Sequence, residues 1–164
     1  MAAWVLEERQ YLAGKSVLEL GSGIGLAGIA AARAGARVTI TDYETDPLLF
    51  ACYNAMQNLP PDVFRERVRF LPLDWREPGV DTKFDLIVGA DIVYERKNFL
   101  PVLSLLKNHL LPGGRALLTE PDRTIGQDFL DLARAQQFSV DRAYSTLERD
   151  GRLYRISRNL LKIE

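Results

Sequence analysis

Gly21, Ser22, Gly23 and Gly25 form a glycine-rich segment whose residue types suit ligand binding. Glycines allow a sharp turn and let a ligand approach the backbone closely. Where such a segment opens a helix, the helix N-terminus adds unpaired N–H groups and a partial positive charge. A ribose or a carboxylate can use both features. Asp42, placed about 20 residues further on, adds a carboxylate that can accept hydrogen bonds from two ribose hydroxyls.

The elements that must position these residues follow from the alternation of short β-type runs with helical patterns, which is typical of a parallel sheet with crossover helices. The sequence predicts strands over 17–20, 37–41, 67–73, 84–88 and 115–119, with helices over 25–33, 98–110 and 124–136. Two later β-type runs, 138–144 and 153–161, flank Asp150-Gly151 and predict a hairpin. The predicted fold class is α/β: a Rossmann-like, doubly wound, mostly parallel sheet with a C-terminal antiparallel hairpin, in three αβα layers.

Local patterns predict further details of two helices. Asp46 followed by Pro47 indicates an N-cap and a first helical residue. The apolar residues of the helix that follows have helical spacing, and this stripe predicts a core position for Cys52; its members are Leu49, Cys52, Tyr53 and Met56. Thr124 and Gln127 have capping-box spacing.

The order of strand, glycine loop, helix, strand and acid predicts a nucleotide site, but it does not choose the ligand. Gly23-x-Gly25-x-x-Gly28 also satisfies the dinucleotide fingerprint, so NAD binding is an alternative on spacing alone. Residues 120–123 follow the fifth predicted strand at the same edge of the sheet. They fit substrate contact and a loop with a helix cap equally well.

Composition limits the remaining classes of function. The chain has 164 residues, of which 47% are hydrophobic and 26% charged, which is typical of one globular domain. Its 21 basic and 22 acidic residues argue against a dedicated nucleic-acid or membrane binder. A single cysteine and a single histidine make a zinc site unexpected, and no stretch predicts a membrane span. We therefore expect a cytoplasmic protein without a metal, a nucleic-acid partner or a membrane partner.

Residues 16–25, Ser-Val-Leu-Glu-Leu-Gly-Ser-Gly-Ile-Gly, resemble motif I of the class I S-adenosylmethionine (SAM)-dependent methyltransferases. Within that class the chain resembles the seven-β-strand family 16 protein methyltransferases, which include lysine methyltransferases, and bacterial predicted nicotinamide N-methylases. The resemblance covers nearly the whole chain. It also rests on Thr41-Asp42, on Leu73-Asp74-Trp75 and on the segment Ala90-Asp91-Ile92-Val93-Tyr94.

The resemblance implies SAM as cofactor and assigns roles to individual residues. Asp91 and Tyr94 match the family's Asp-x-x-Tyr motif, so they are expected to border the acceptor nitrogen as catalytic residues. Asp74 is expected to accept a hydrogen bond from the adenine amino group, and Trp75 is expected to pack beside the adenine ring. The remaining cofactor-binding residues are expected at the methionine and ribose parts of SAM or beside them: Glu19, Gly21, Ser22, Gly23, Gly25, Asp42 and Ala90.

Methyl transfer from a sulfonium needs mainly alignment, because the methyl group is already activated. A lysine amine has an ordinary pKa of about 10.4, so it arrives protonated and a carboxylate such as Asp91 can hold it. The ring face of Tyr94 can add a cation–π contact worth about 0.5–2 kcal/mol. We therefore predict a SAM-dependent N-methyltransferase that acts on a lysine side chain of a protein. A small, nicotinamide-like amine is the alternative substrate.

Two other classes of function stay open at this stage. The shared glycine fingerprint allows an NAD-binding oxidoreductase or regulator. A methyltransferase fold used only for interaction is a further alternative. We expect residues 1–164 to form one SAM-dependent methyltransferase domain. Family members usually have an N-terminal segment in which a Trp before the first helix helps to close the cofactor site. Two alternatives stay open: Trp4 represents part of that segment, or the domain lacks it.

Overall fold

The computed structural model describes residues 1–7, 9–121, 123–150 and 152–163. Its strands are β1 Ser16–Leu20, β2 Arg37–Asp42, β3 Val68–Pro72, β4 Phe84–Ala90, β5 Leu110–Glu120, β6 Phe138–Arg149 and β7 Arg152–Ile163. Within the described residues these strands form one sheet in the order β3-β2-β1-β4-β5-β7-β6. The strands β1 to β5 pair in parallel, and β7 lies antiparallel between β5 and β6. This arrangement confirms the predicted fold class and the C-terminal hairpin. Gly151 of the hairpin lies outside the described residues, and so does Asp122 of the segment after β5.

Helices cover both faces of the sheet, because the central strands alternate apolar side chains between two cores. They are α1 Ala2–Glu7, α2 Arg9–Leu12, α3 Leu26–Arg33, α4 Thr45–Asn58, α5 Pro61–Arg67, α6 Phe99–His109 and α7 Thr124–Ala135, with a 3₁₀ turn at Arg96–Asn98. Val17 of β1 packs in the core under α1 to α5. The next residue, Leu18, packs in the core under α6 and α7. No helix in the described part of the chain is long and apolar enough to cross a membrane.

The sheet reverses its winding at β1, which positions a ligand crevice. β1 pairs with β2 on one side and with β4 on the other. The chain therefore builds the sheet outward in one direction through β3 and in the other direction from β4. In open α/β sheets, ligands bind at such a switch point, beyond the carboxyl ends of the strands. The loops that follow β1, β2, β3 and β4 all meet at this edge.

The apolar stripe predicted for α4 faces away from the core, so that prediction is wrong. Leu49, Tyr53 and Met56 are 63%, 62% and 58% exposed, and Cys52 is only half-buried. The buried residues of α4 are Leu48, Ala51 and Ala55. A Cβ placed on Gly25 would lie 2.8 Å from the Cβ of Ala51. Because the helix lies this close to the glycine loop at Ala51, a small residue is needed at that position, and the four residues of the predicted stripe lie on other faces of the helix.

Several local boundaries also differ from the predictions. The helix α4 begins at Thr45, and its N-cap is Glu44 without a side-chain cap bond, so Asp46 is not the cap. The capping box is wrong, because Thr124 is already helical in α7 and Gln127 instead bonds Asp131 and Arg142. The strand β5 begins at Leu110, before the predicted start at residue 115, and its pairing with β4 shifts register in this additional part. The helix α5 was not predicted.

Candidate functional site

A cavity of about 520 Å³ opens at the switch point of the sheet. Its size lies within the range of about 300–1,000 Å³ that is usual for small-molecule sites. The lining residues come from the loops after β1, β2, β3 and β4 and from the start of α6: Gly21, Gly23, Asp42, Tyr43, Glu44, Asp74, Trp75, Arg76, Ala90, Asp91, Ile92, Tyr94, Glu95, Lys97, Asn98 and Pro101.

Most of the residues predicted for a site meet in this cavity. Those that line it are Gly21, Gly23, Asp42, Asp74, Trp75, Ala90, Asp91 and Tyr94. Glu19, Ser22 and Gly25 are not part of the lining. Eight further lining residues were not predicted: Tyr43, Glu44, Arg76, Ile92, Glu95, Lys97, Asn98 and Pro101. Half of them directly follow a predicted residue in the same loop, which was the signal available for those four: Tyr43, Arg76, Ile92 and Glu95.

The turn after β1 packs closely against two other parts of the site. Gly21 has a φ of +58°, which an L side chain rarely adopts. A Cβ at this position would lie 3.0 Å from Ile92 Cγ2 and 3.3 Å from Trp75 Cζ2. The glycine therefore lets the loops that follow β3 and β4 close around the end of β1.

Asp42 connects the glycine loop to the end of β2. Its Oδ2 accepts a hydrogen bond from the Gly23 N–H at 3.0 Å, and its Oδ1 accepts one from the Glu44 N–H at 3.2 Å. A carboxylate offers about four acceptor sites, so two are left for ligand hydroxyls at the cavity wall. This capacity fits the predicted ribose contact.

Glu19 lies behind the cavity and supports the start of α3. It is 4% exposed, and its Oε2 accepts a hydrogen bond from the Gly28 N–H at 3.0 Å. Burial raises the pKa of Glu19 from 4.5 to about 7, against the lowering effect of the N–H groups of Gly28 and Ala27. The negative charge of Asp42 adds to the increase. Glu19 therefore holds the helix that carries the glycine loop.

The raised pKa of Glu19 predicts a pH-dependent stability. The folded protein holds the proton of the Glu19 carboxyl group more tightly than the unfolded chain does. The contribution of this group to the free energy of unfolding is therefore complete below pH 4.5 and is lost as the pH rises through about 7. Relative to Glu19→Gln, wild-type protein should lose about 3 kcal/mol of unfolding free energy between pH 4.5 and pH 7–8. Urea unfolding of both proteins at several pH values measures this difference. A difference that does not vary with pH would contradict the raised pKa.

Asp74 and Trp75 form the wall after β3. Two nitrogens of Arg76 bind the Asp74 carboxylate, with Nη2 at 2.7 Å from Oδ2 and Nε at 2.8 Å from Oδ1. The hydrogen bonds of Arg76 hold the pKa of Asp74 below its ordinary value. Asp74 is therefore an anion at neutral pH, already paired with a neighbouring cation, and any adenine contact must share this carboxylate with Arg76.

One buried polar atom of a lining residue, Trp75 Nε1, has no hydrogen-bond partner among the described residues. An unpaired buried donor costs about 1–3 kcal/mol, which a ligand acceptor can recover. Together with the close glycine turn and the free acceptor sites of Asp42, this atom fits a polar, nucleotide-like ligand such as SAM.

Asp91 and Tyr94 lie on the loop after β4. Asp91 has a φ of +54°, and its N–H donates to the Thr119 carbonyl at 2.7 Å. Arg123 binds its carboxylate with two nitrogens, at 2.9 and 3.2 Å. Tyr94 is 51% exposed, so its ring does not fill the core and is accessible at the cavity. This exposed carboxylate and aromatic ring suit the binding of a cation.

The charge of the cavity also suits a cationic ligand. The lining contains five acidic side chains, Asp42, Glu44, Asp74, Asp91 and Glu95, and two basic ones, Arg76 and Lys97. A cleft lined by an excess of one sign raises the local concentration of the opposite charge. A sulfonium and a protonated amine are both cations, so this lining favours them over an anionic ligand.

The segment after β5 belongs to the site through its side-chain contacts. Glu120 is buried, and its Oε2 accepts a hydrogen bond from the Arg123 N–H at 2.9 Å. Its Oε1 accepts one from Nη2 of Arg142 at 2.9 Å. The Arg123 side chain then reaches Asp91. The segment therefore serves both as the start of α7 and as a support of the site.

The order of the sheet, the glycine loop after β1 and the acid at the end of β2 define a class I SAM-dependent methyltransferase. The chain belongs to the lysine methyltransferase family, because the sequence model of that family matches residues 2–134. This membership decides between SAM and NAD, which the glycine spacing alone left open.

Individual relatives agree with this membership. The protein N-lysine methyltransferase METTL21A of Danio rerio is 40% identical over 154 residues, which cover 90% of this chain and 68% of the relative. The histone-arginine methyltransferase METTL23 of Rattus norvegicus is 35% identical over 111 residues, or 63% of this chain and 47% of the relative. The chain thus spans about two thirds of the first relative and about half of the second. Magnesium protoporphyrin IX methyltransferase of Synechocystis, solved with bound SAM, has the same fold, with a TM-score of 0.75, 21% identity and coverage of 97% and 75%.

Proposed function

We propose that this protein transfers a methyl group from SAM to the side-chain amine of a lysine in a protein substrate. The observation that carries the proposal is the position of Asp91 and Tyr94, which line one cavity together with the glycine loop after β1. The acceptor site proposed from the Asp-x-x-Tyr motif therefore lies beside the proposed cofactor site. We also propose that residues 1–164 fold as one domain and that the protein acts in the cytoplasm.

The residues of the chain divide into two groups in this proposal. Gly21, Gly23 and Asp42 would hold the amino-acid and ribose parts of the cofactor, and Trp75 would pack on the adenine side beside Asp74. Glu19, Ser22 and Gly25 would shape the loop from behind the cavity. SAM supplies an activated methyl group when bound. The protein must then only align an amine with this methyl group. Such alignment increases a reaction rate by several orders of magnitude.

Asp91 and Tyr94 would bind the incoming lysine as its ammonium ion. The carboxylate attracts the positive charge, and the ring face adds a cation–π contact. The amine must lose its proton before its lone pair can attack carbon. Asp91 is about half exposed, so solvent at the mouth of the cavity can take that proton. The long, flexible side chain of lysine suits a site reached through an open mouth.

Labelling with tritiated SAM tests this proposal. Incubation of the protein with a cell lysate should label discrete protein bands, and hydrolysis of a band should release methyl-lysine. The release of methyl-arginine would instead favour an arginine acceptor, which is the residue named for the METTL23 relative. Label confined to small molecules would favour a nicotinamide-like amine. The absence of transfer to any acceptor would contradict the proposal.

Ligand-induced stabilisation gives a second prediction, directed at the cofactor site. A ligand present at about 100 times its Kd adds about 2.7 kcal/mol to the free energy of unfolding. For a domain of this size, this raises the Tm by about 5–10 °C. We expect this increase for S-adenosylhomocysteine and none for NAD. Asp42→Ala should reduce the increase, whereas Asp131→Ala on the exposed face of α7 should not. Stabilisation by NAD alone would contradict the cofactor assignment.

A further inference from the structure

The ion pair between Arg123 and Asp91 joins the segment after β5 to the proposed acceptor site. Each terminal nitrogen of Arg123 donates to a different oxygen of Asp91, at 2.9 and 3.2 Å. A two-pronged contact of this kind fixes the plane of a carboxylate as well as its position. The Asp91 N–H is bonded to the Thr119 carbonyl. Both the backbone and the side chain of Asp91 are therefore held from the β5 side.

Arg123 is held in turn by a buried group. Its N–H donates to Oε2 of Glu120, a residue that is 3% exposed. Glu120 also accepts hydrogen bonds from Arg142 of β6 and from the Ser157 hydroxyl of β7. A continuous set of contacts thus runs from the C-terminal hairpin through Glu120 to the backbone of Arg123, and from the Arg123 side chain to Asp91.

We propose that Arg123 is a positioning residue that orients Asp91 for the acceptor amine, an inference that rests on the proposed function. A carboxylate has about four acceptor sites, of which the guanidinium uses two. The other two can accept N–H groups of the incoming ammonium ion. Arginine has no acceptor and keeps its proton in proteins, so it cannot bind the ammonium ion itself. Arg123 therefore acts through Asp91.

A double-mutant cycle separates this role from a general effect on structure. Arg123→Gln should lower the initial rate of lysate labelling about tenfold. The lysate is diluted until this rate is proportional to the amount of lysate protein, so that the rates of the variants report kcat/KM for the acceptor. The Asp91→Asn, Arg123→Gln double variant should be as slow as Asp91→Asn alone, because residues that act together give non-additive effects. The SAM KM and the S-adenosylhomocysteine thermal shift of Arg123→Gln should equal those of the wild type.

The chain offers a matched control pair on the exposed face of α7. Arg134 binds Asp131 at 2.9 Å, and the side chains of Arg134 and Arg123 are both 47% exposed. Arg134→Gln and Asp131→Asn should each leave the labelling rate unchanged. Three results would overturn the proposal. They are additive losses of rate in the double-mutant cycle, an Arg123→Gln variant that is at least as active as the wild type, and a changed thermal shift of that variant with S-adenosylhomocysteine. A wild-type protein that labels no acceptor would instead contradict the proposed function itself.

Discussion

Asp91→Asn should lower the rate of protein methylation about a hundredfold, which is the scale of loss when a reacting group is misaligned. The substitution removes the negative charge that would hold the lysine ammonium ion, while the side chain keeps nearly the same shape. Asparagine is the appropriate replacement because Asp91 has a φ of +54°. Asp and Asn tolerate this left-handed region better than most residues, so the backbone of the loop should be preserved.

Two measurements make this prediction specific to the acceptor side. The rate of label transfer from tritiated SAM should fall, whereas the thermal shift with S-adenosylhomocysteine should match that of the wild type. Asp131→Asn is the control, since Asp131 is also an exposed aspartate paired with an arginine. Full activity of Asp91→Asn would remove the proposed role of this carboxylate. Loss of the thermal shift would place Asp91 on the cofactor side of the cavity.

The fold and much of the cavity were predictable because they depend on regularities that are local in the sequence. Strand runs separated by helical patterns indicate a parallel sheet, and the residues that follow such strands gather at one edge. Asp42 ends a strand, Asp74 and Asp91 follow one closely, and all three line the cavity. Their partners within a few residues, such as Arg76, lie in the same loops.

The position of Glu19 also had a signal in the sequence, although the resemblance assigned it to the cofactor site. Side chains alternate between the faces of a strand. Leu18 and Leu20 face the core under α6 and α7, so Glu19 between them must face α3, as Val17 does. The Gly28 N–H is the partner that it meets there. This alternation explains why Glu19 supports the helix behind the cavity.

Contacts that depend on the place of the C-terminal hairpin had no such signal. Glu120 and Ser157 are 37 positions apart, and they meet because β7 lies between β5 and β6 and pairs with β5 in the register Glu120–Ser157. Asp91 and Arg123, 32 positions apart, follow the neighbouring parallel strands β4 and β5, so the shared edge of the sheet indicated that they lie near each other but not that they form an ion pair. The sequence predicts the hairpin but not its place in the sheet. For that reason the role of residues 120–123 stayed open.

Arg142→Met should lower the free energy of unfolding by about 3–5 kcal/mol, the usual cost of leaving a buried charge without its partner. Glu120 is 3% exposed and the Arg142 side chain is 14% exposed, with Nη2 of Arg142 at 2.9 Å from Oε1 of Glu120. Without the guanidinium, the hydrogen bonds left to the Glu120 carboxylate within the described part of the chain are those from the Arg123 N–H and the Ser157 hydroxyl. Urea unfolding at neutral pH measures the loss.

Adding Glu120→Gln to Arg142→Met should restore part of that stability, although it is a second substitution in the same buried cluster. The amide removes the buried charge, and its oxygen can still accept a hydrogen bond from Arg123 or Ser157. Removal of an exposed partner gives the comparison: Arg134→Gln should change the free energy of unfolding by less than about 1 kcal/mol. If the double variant were less stable than Arg142→Met alone, the loss would come from other contacts of Arg142, such as its hydrogen bond to Gln127, rather than from the unpaired carboxylate.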